Sequence, residues 1–363
     1  MNRADNRWMK YCFTLAEKGV GKVSPNPLVG AVIVKNGKMI AEGYHQRYGS
    51  SHAEVNAIRD AQRKKIDIKG ATIYVNLEPC FHFGKTPPCV DEIVKLGFSR
   101  VVISTDDPNP LVAGKSIKKL RANGIKVKNG VLAKDGKNLN EKFFKYIRTS
   151  VPFVSVKVAS TSDGFIARPD GDSHWISNAQ SRMIVHQMRN EYDAVLVGAT
   201  TVINDDPLLT VRTVEGRNPV RVVIDGNFSV PMTSKIFNDD ANTIVYVAKR
   251  IIRTERKKIA FLHKKGIDII PMPEHSGKLN IHHILRDLSA RGIASVLVEG
   301  GQKTLTEFFN ARAVDTFHVF KAKKKYGSGI KIFGDLSVSF YKRRVQSKHF
   351  GTDHYAEYSI RYV

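Results

Sequence analysis

Two short stretches constrain this chain more than anything else in it: His52-Ala53-Glu54, and Glu78-Pro79-Cys80 through Pro88-Cys89. Their chemistry requires them to meet in space. His52, Cys80 and Cys89 offer one imidazole and two thiolates. Three such ligands on Zn²⁺ leave the fourth tetrahedral position open to water, as catalytic sites do. Iron or cobalt would accept the same donors, so zinc is read from ligand type alone. Glu54 stands two residues beyond His52. If that pair opens a helix, the carboxylate reaches metal-bound water without binding the metal. This is the set that hydrolytic removal of an amino group from an amidine carbon needs: activated water, and a Glu that carries protons to the leaving ammonia. The fold must therefore end a strand, read here as 71–77, beside the helix that His52 opens. His82 lies between the cysteines and is a rival ligand. His52 is preferred because Glu54 comes with it, which leaves His82 as a loop or pocket residue. Cys12, on an apparent helix, reads as core.

Bulk properties bound the rest. A length of 363 residues suggests two domains, and 42% hydrophobic residues can build their cores. No apolar run reaches the roughly 18 residues of a membrane-spanning helix, and the first ten residues lack the apolar stretch of a signal peptide. Three cysteines, two of them assigned to a metal, fit a reducing cytoplasm and not a disulfide framework. A net charge of +24 first suggests nucleic acid. The basic residues are spread out, however, with only small clusters at 63–65, 321–325 and 342–344. A solvated surface suited to phosphorylated small molecules is expected, and nucleic acid is not expected as a partner.

Along the chain, 8–19 reads as a helix and Ser24-Pro25-Asn26-Pro27 as a turn. Strands 28–34 and 39–45 flank the hairpin signal Asn36-Gly37. Helix 89–96, strand 100–104, helix 114–123, strand 125–128 and a helix over 131–149 follow. The pattern breaks at Arg148-Thr149-Ser150-Val151-Pro152, near 147–151, which gives domains 1–148 and 149–363. Strand 152–160 ends at the Ser162-Asp163-Gly164 turn. Strands at 193–198, 220–225, 243–248, 267–270 and 294–298, with helices at 178–190 and 280–291, predict a mostly parallel sheet with ligands at the carboxyl ends of its strands. No Gly-x-Gly-x-x-Gly follows the first strand. The Gly-rich turn comes late, at Glu299-Gly300-Gly301-Gln302. It is either a plain tight turn or a place where backbone N–H groups approach a phosphate at a helix N-terminus. Residues 337–362 read as two closing strands with basic edges, a composition that discourages edge pairing.

The eight-residue insert from Phe81 to Pro88 carries more information. With its flanks it reads Glu-Pro-Cys-x-His-x-Gly-x-Thr-Pro-Pro-Cys and resembles the deaminase half of the bifunctional riboflavin-biosynthesis deaminase/reductase family. Pro25-Asn26-Pro27-Leu28-Val29-Gly30 is similar to the same half. Lys157-Val158-Ala159-Ser160, Ser173-His174-Trp175-Ile176-Ser177, Asp193 to Gly198, Thr201 to Pro207, Leu209 to Arg212 and Val298-Glu299-Gly300-Gly301 resemble its reductase half, in order. The resemblance covers nearly the whole chain. It implies an α/β protein: a cytidine-deaminase-like sandwich followed by a dihydrofolate-reductase-like domain that uses NADPH.

It also implies residue roles. Asn26 would line the pyrimidine pocket, although alone it is an ordinary turn residue. Ala159, Trp175, Thr201, Asp205, Gly301, Gln302, Lys303, Thr304 and Leu305 would line the NADPH site. Ser173, Arg189, Leu209, Arg212 and Glu299 would bind the ribose phosphate of the substrate, where arginines can grip a phosphate with forked hydrogen bonds. Without the resemblance, Arg189 reads equally as a solvated cation, Trp175 as core and Asp205-Asp206 as a cap or turn pair. Leu28, Thr161, Gly226 and the Lys323 to Gly329 segment depart from the family pattern; a Ser often contacts the cofactor where Gly226 stands. The expected assembly is a dimer or tetramer. The rival reading is a tRNA or nucleotide deaminase carrying a basic RNA-binding accessory domain.

Overall fold

A computed structural model describes residues 3–81, 88–110, 112–173 and 175–363. The insert positions 82–87, including His82, lie outside the described residues, as does His174. The chain divides into two compact units, Met1–Ser150 and Val151–Val363. Among the described residues no helix is long and apolar enough to cross a membrane.

The first unit runs α1 (Arg3–Glu17), β1 (Gly30–Lys35), β2 (Lys38–Tyr44), α2 (Ala53–Arg63), β3 (Thr72–Leu77), α3 (Cys89–Lys95), β4 (Arg100–Thr105), α4 (Lys115–Ala122), β5 (Lys126–Lys128), α5 (Ala133–Leu139) and α6 (Glu141–Thr149). Its sheet has the order β2-β1-β3-β4-β5. β1 is antiparallel to both neighbours, and β3, β4 and β5 are parallel. Alternation along β1 sends Ala31 and Ile33 to one face and Val32 and Val34 to the other. The first pair joins Ala57, Ile58, Val90, Ile93 and Leu120 from α2, α3 and α4. The second joins Met9, Cys12 and Leu15 of α1. Each fully buried aliphatic side chain contributes roughly 1.5–3 kcal/mol.

The single helix expected over 131–149 is two, with Asn140 between them. The buried Asn140 amide donates to the Leu28 carbonyl at 2.9 Å and accepts the Leu28 N–H at 2.8 Å. Asn76 also donates to the Leu28 carbonyl, at 2.9 Å, and accepts the Gly30 N–H at 2.7 Å. Two buried amides thus fix the chain that enters β1, and one of them interrupts a helix to do so.

The second unit runs β6 (Phe153–Ser160), β7 (Phe165–Ala167), α7 (Ala179–Glu191), β8 (Ala194–Gly198), α8 (Ala199–Asp205), β9 (Val220–Ile224), β10 (Thr243–Ala248), α9 (Ile251–Thr254), α10 (Arg256–Lys264), β11 (Asp268–Met272), β12 (Glu274–His275), β13 (Lys278–Leu279), α11 (Ile281–Ala290), β14 (Ser295–Val298), α12 (Gln302–Asn310), β15 (Thr316–Lys321), β16 (Ile330–Lys331), β17 (Phe340–Phe350) and β18 (Asp353–Tyr362). Nine strands form one sheet in the order β11-β10-β9-β8-β14-β6-β15-β18-β17. It is parallel from β11 to β15, and β18 and β17 add antiparallel. Val154, Val156 and Val158 of β6 face the larger core. Phe153 faces the other side, with Val185 and Met188 of α7. All the strong parallel strands deliver their carboxyl ends to one edge, where the glycine-rich turn after β14 lies.

Candidate active sites

In the first unit the three expected ligands converge. Nδ1 of His52 lies 3.5 Å from Sγ of Cys80 and 3.3 Å from Sγ of Cys89. Among the described residues these three are the group of His, Cys or acidic side chains placed to hold a metal, with ligand atoms all within 4.8 Å of one another. Local structure explains the convergence. His52 is the N-cap of α2, and Cys89 is the first residue of α3. β3 is followed by Glu78-Pro79-Cys80, and the Cys89 N–H donates to Cys80 Sγ at 3.1 Å. The N-terminus of α3 therefore points at the Cys80 sulfur, which favours negative charge there. One imidazole and two sulfurs at this spacing fit Zn²⁺ with an open position.

The electrostatics agree with that division of labour. The hydrogen bond from Cys89, outweighing burial, together with His52 draws the Cys80 thiol below its ordinary range. The Cys89 thiol is pushed up by this neighbour and by burial. The bond to Cys80 raises His52 to about 9. Glu54, in the first turn of α2 and 3% exposed, is outside the ligand trio. Burial, with the Cys80 charge adding to it, pushes Glu54 up to about 7 against the pull of His52. A carboxyl poised there can hold or release a proton near neutral pH.

Asn26 sits beside this group, and the residue that holds it was not visible in the sequence. Nδ2 of Asn26 donates to Nε2 of His45 at 3.1 Å, while Nδ1 of His45 donates to the Ser51 carbonyl at 3.1 Å. A carbonyl only accepts, so the His45 proton is on Nδ1. The His45 ring meets the His52 ring edge-on at 5.6 Å. A histidine at the end of a hairpin strand carries no local signature that separates it from core. Glu78 accepts the N–H groups of Asp107 and Gly114 at 3.3 and 2.9 Å and so pins the loop after β4.

In the second unit a cavity of about 640 Å³ opens at the carboxyl ends of β8 and β9 and the N-terminus of α12. Of the expected NADPH-site residues, Thr201, Asp205, Gly301, Gln302, Lys303 and Thr304 line it. Backbone approach is close here: a Cβ on Gly300 would stand 2.7 Å from Cβ of Thr304. The Gly301 N–H donates to Thr201 Oγ1 at 3.0 Å, and Gln302 ties α12 to the Lys331 and Phe333 carbonyls. A glycine-walled cavity at a helix N-terminus beyond parallel strands fits a dinucleotide phosphate. Three expected residues are not among its lining. Leu305 faces the core at 0% exposure. Ala159 pairs with Phe320 in the sheet. Trp175 is 66% exposed, with the Arg182 guanidinium 4.4 Å from its ring centre.

The expected sugar-phosphate residues gather only in part. Arg189 spends its fork on Glu299, at 2.7 and 3.0 Å, and a further N–H on the Thr210 carbonyl at 3.2 Å. Lys157 of β6, unremarked in the sequence because a lysine in an alternating strand is ordinary, reaches Glu299 at 3.1 Å. Burial would raise the Glu299 carboxyl, but Arg189 and Lys157 hold it down at about 2. Arg212 is exposed; it donates to Thr210 Oγ1 at 2.7 Å, and its backbone N–H donates to Nδ1 of His186 at 3.3 Å. Ser173 lines the cavity and donates to Asp205 at 3.1 Å. The Leu209 side chain is buried, on a left-handed backbone (φ 52°), so only its main chain can meet a ligand.

Hydrolytic deamination is the chemistry the first site can support, and dinucleotide-dependent reduction the chemistry the second can house; together they define a two-activity α/β enzyme. Comparison with known proteins agrees. Residues 2–105 match the cytidine and deoxycytidylate deaminase zinc-binding region, and residues 152–355 match the RibD C-terminal domain. The riboflavin biosynthesis protein RibD of Aquifex aeolicus is 44% identical over 92% of this chain and 91% of its own length. A crystal structure of a diaminohydroxyphosphoribosylaminopyrimidine deaminase/5-amino-6-(5-phosphoribosylamino)uracil reductase from Thermotoga maritima is 41% identical, covers 98% of both chains and superposes with a TM-score of 0.87. Acinetobacter baumannii RibD, at 32% identity over 99% of both chains, gives the same TM-score of 0.87. The chain belongs to the RibD family of riboflavin-biosynthesis proteins, bifunctional enzymes that join a zinc-dependent deaminase to an NADPH-dependent reductase. The rival accessory-domain reading is not favoured, because residues 152–355, nearly all of the second unit, match the RibD C-terminal domain.

Proposed function

We propose that the first unit deaminates a diaminohydroxyphosphoribosylaminopyrimidine and that the second reduces the ribosyl group of the resulting 5-amino-6-(5-phosphoribosylamino)uracil to ribityl. The unit boundary at Ser150 and Val151 would then separate the two activities. The observation that carries the reading is the buried Glu54 beside, and not within, the His52-Cys80-Cys89 group. Zinc held by those three residues would supply a Lewis acid that makes water nucleophilic at neutral pH. Glu54 carries one proton of the attacking water to the ring nitrogen, then carries the proton of the hydroxyl left on carbon to the departing amine, which leaves a carbonyl and ammonia. Asn26, with its amide N–H held by His45, turns its carbonyl oxygen to the pyrimidine edge.

In the second unit NADPH supplies the hydride, and the protein supplies position. The Thr201, Gly301 and Thr304 wall holds the cofactor. Glu299, kept ionised by Arg189 and Lys157, accepts from ribose hydroxyls, and Arg212 with the two remaining N–H groups of Arg189 faces the phosphate. The three cysteines are unpaired with one another, which suits a cytoplasmic setting. A dimer or tetramer is the assembly to look for by light scattering.

Glu54→Gln tests the division. Ammonia release should fall by about 10²–10⁴-fold, the worth of general acid–base catalysis, with bound zinc and turnover of the deaminated substrate by the reductase unchanged. Loss of both activities together would contradict two separate sites.

A further inference from the structure

NADPH and NADH differ by one 2′-phosphate on the adenosine ribose, and the rim of the cavity around β9 carries groups that could tell them apart. Along the sheet β9, β8, β14 and β6 are successive neighbours. The substrate-facing Glu299 directly follows β14 and Lys157 lies on β6, so the adenosine end of a cofactor whose phosphates sit at α12 extends the other way, to the end of β9.

In enzymes that prefer the unphosphorylated cofactor, an acidic residue beyond a strand accepts from the ribose hydroxyl; a nearby cation instead accommodates the phosphate. The acid at the end of β9 is Asp225; it borders the cavity, but both its carboxylate oxygens are engaged within its own turn. It is 1% exposed. Its Oδ1 accepts the Ser229 N–H and hydroxyl at 2.8 and 3.0 Å, and its Oδ2 accepts the Val230 N–H at 2.8 Å. Its charge is consumed in shaping a turn whose Gly226, Asn227 and Ser229 line the cavity.

Two cations stand at this rim. Arg250, just after β10 and outside the cavity lining itself, donates to the lining residue Asn227 at Oδ1, 2.5 Å away, and to Glu274 at 3.0 Å. Lys278 lines the cavity from the β12–β13 hairpin, whose Ser276-Gly277 turn has positive φ at both residues. Its ammonium rests 2.6 Å from Glu307 of α12. Both cations are exposed and held by single surface carboxylates, contacts worth little in water and readily exchanged for a dianion. Gly226, with no side chain, leaves room where a hydroxyl contact would otherwise reach in.

We propose that Arg250, bound to Asn227 of that turn, and Lys278, on the cavity wall, form the clamp that selects the 2′-phosphorylated dinucleotide. The proposal rests on the assignment of this cavity to the cofactor. Equilibrium titration of the full-length protein with NADPH and with NADH, read by nicotinamide fluorescence and independent of turnover, tests it. Arg250→Gln and Lys278→Met should each weaken NADPH binding about tenfold and the double variant more, with NADH affinity and melting temperature unchanged. Adenosine 2′,5′-bisphosphate should compete with NADPH in the wild type and poorly in the double variant, and salt should weaken NADPH binding more steeply than NADH binding. Equal loss for both dinucleotides, or loss for neither, would overturn the clamp while leaving the cavity assignment in place. A wild type that binds neither dinucleotide would instead remove the cavity assignment.

Discussion

Asp5 shows what one buried charge does in this protein. It is 0% exposed and accepts from Arg100 at 3.0 and 2.8 Å, Lys128 at 2.7 Å and Tyr74 at 3.0 Å. Burial alone would raise its carboxyl; the two cations outweigh it and hold it down at about 2. A folded value below the unfolded one, roughly 3.9, stabilises the protein above that pH, and the contribution is lost as pH falls through about 2. Asp5→Asn should flatten the acid limb of first-unit stability between these values in denaturant melts at stepped pH, and should cost on the order of 3–5 kcal/mol at neutral pH, because it strands two partly buried cations. In the second unit Arg189→Ala should act similarly on Glu299: stability falls, and KM for the deaminated substrate rises. Arg189→Lys should restore most of the stability but not the KM, since the paired fork is lost; recovery of both would show that charge alone matters there. The metal trio with Glu54 was the most legible part of the sequence, because an imidazole, two thiols and a carboxylate in one neighbourhood have little other use. Leu209 and Leu305 were matched by position, yet their side chains pack inward, as apolar residues do when nothing local instructs them otherwise.

At the scale of elements, α2 places both His52 and Glu54, and its seat is set by Gly43 of β2. A Cβ on Gly43 would stand 2.3 Å from the Ala57 nitrogen and 2.6 Å from the Ala53 carbonyl oxygen. Gly43→Ala should therefore push α2 off the sheet at a cost of roughly 1–3 kcal/mol and loosen zinc by tenfold or more in a chelator titration. Unchanged retention would mean that α2 is positioned by the metal and not by the sheet. The hairpin of β1 and β2 was readable from Asn36-Gly37, and the helix openings at His52 and Cys89 from the chemistry they must serve. The interruption at Asn140 was not readable, since its cause is an amide clasp to Leu28, more than a hundred positions away. Short α8, α9 and α10 were missed as well: each has too few turns for a 3.6-residue period to register.

The whole molecule carries +24 net charge, the one feature that pointed elsewhere. If that charge is a solvated surface, tRNA should bind weakly at low salt and be released at roughly 0.2 M, without sequence preference. Salt-resistant binding would mean that a nucleic-acid role had been added to the enzyme. The α/β class of both units and the parallel sheet were legible because periodicity survives averaging over long segments, and the late turn because Gly300-Gly301 follows a strand. The order of strands within the larger sheet was not, because register across it is decided by packing and no local motif records it.

That strand order has a temporal consequence. β6 opens the second unit, yet its two neighbours, β14 and β15, begin only at Ser295 and Thr316, whereas each inner strand of the first unit finds a partner within a few dozen positions. Loop closure over such a span slows productive pairing. During synthesis β6 must stay unpartnered until most of the chain has left the ribosome, so zinc uptake should recover ahead of dinucleotide binding when the denatured protein is diluted back into buffer.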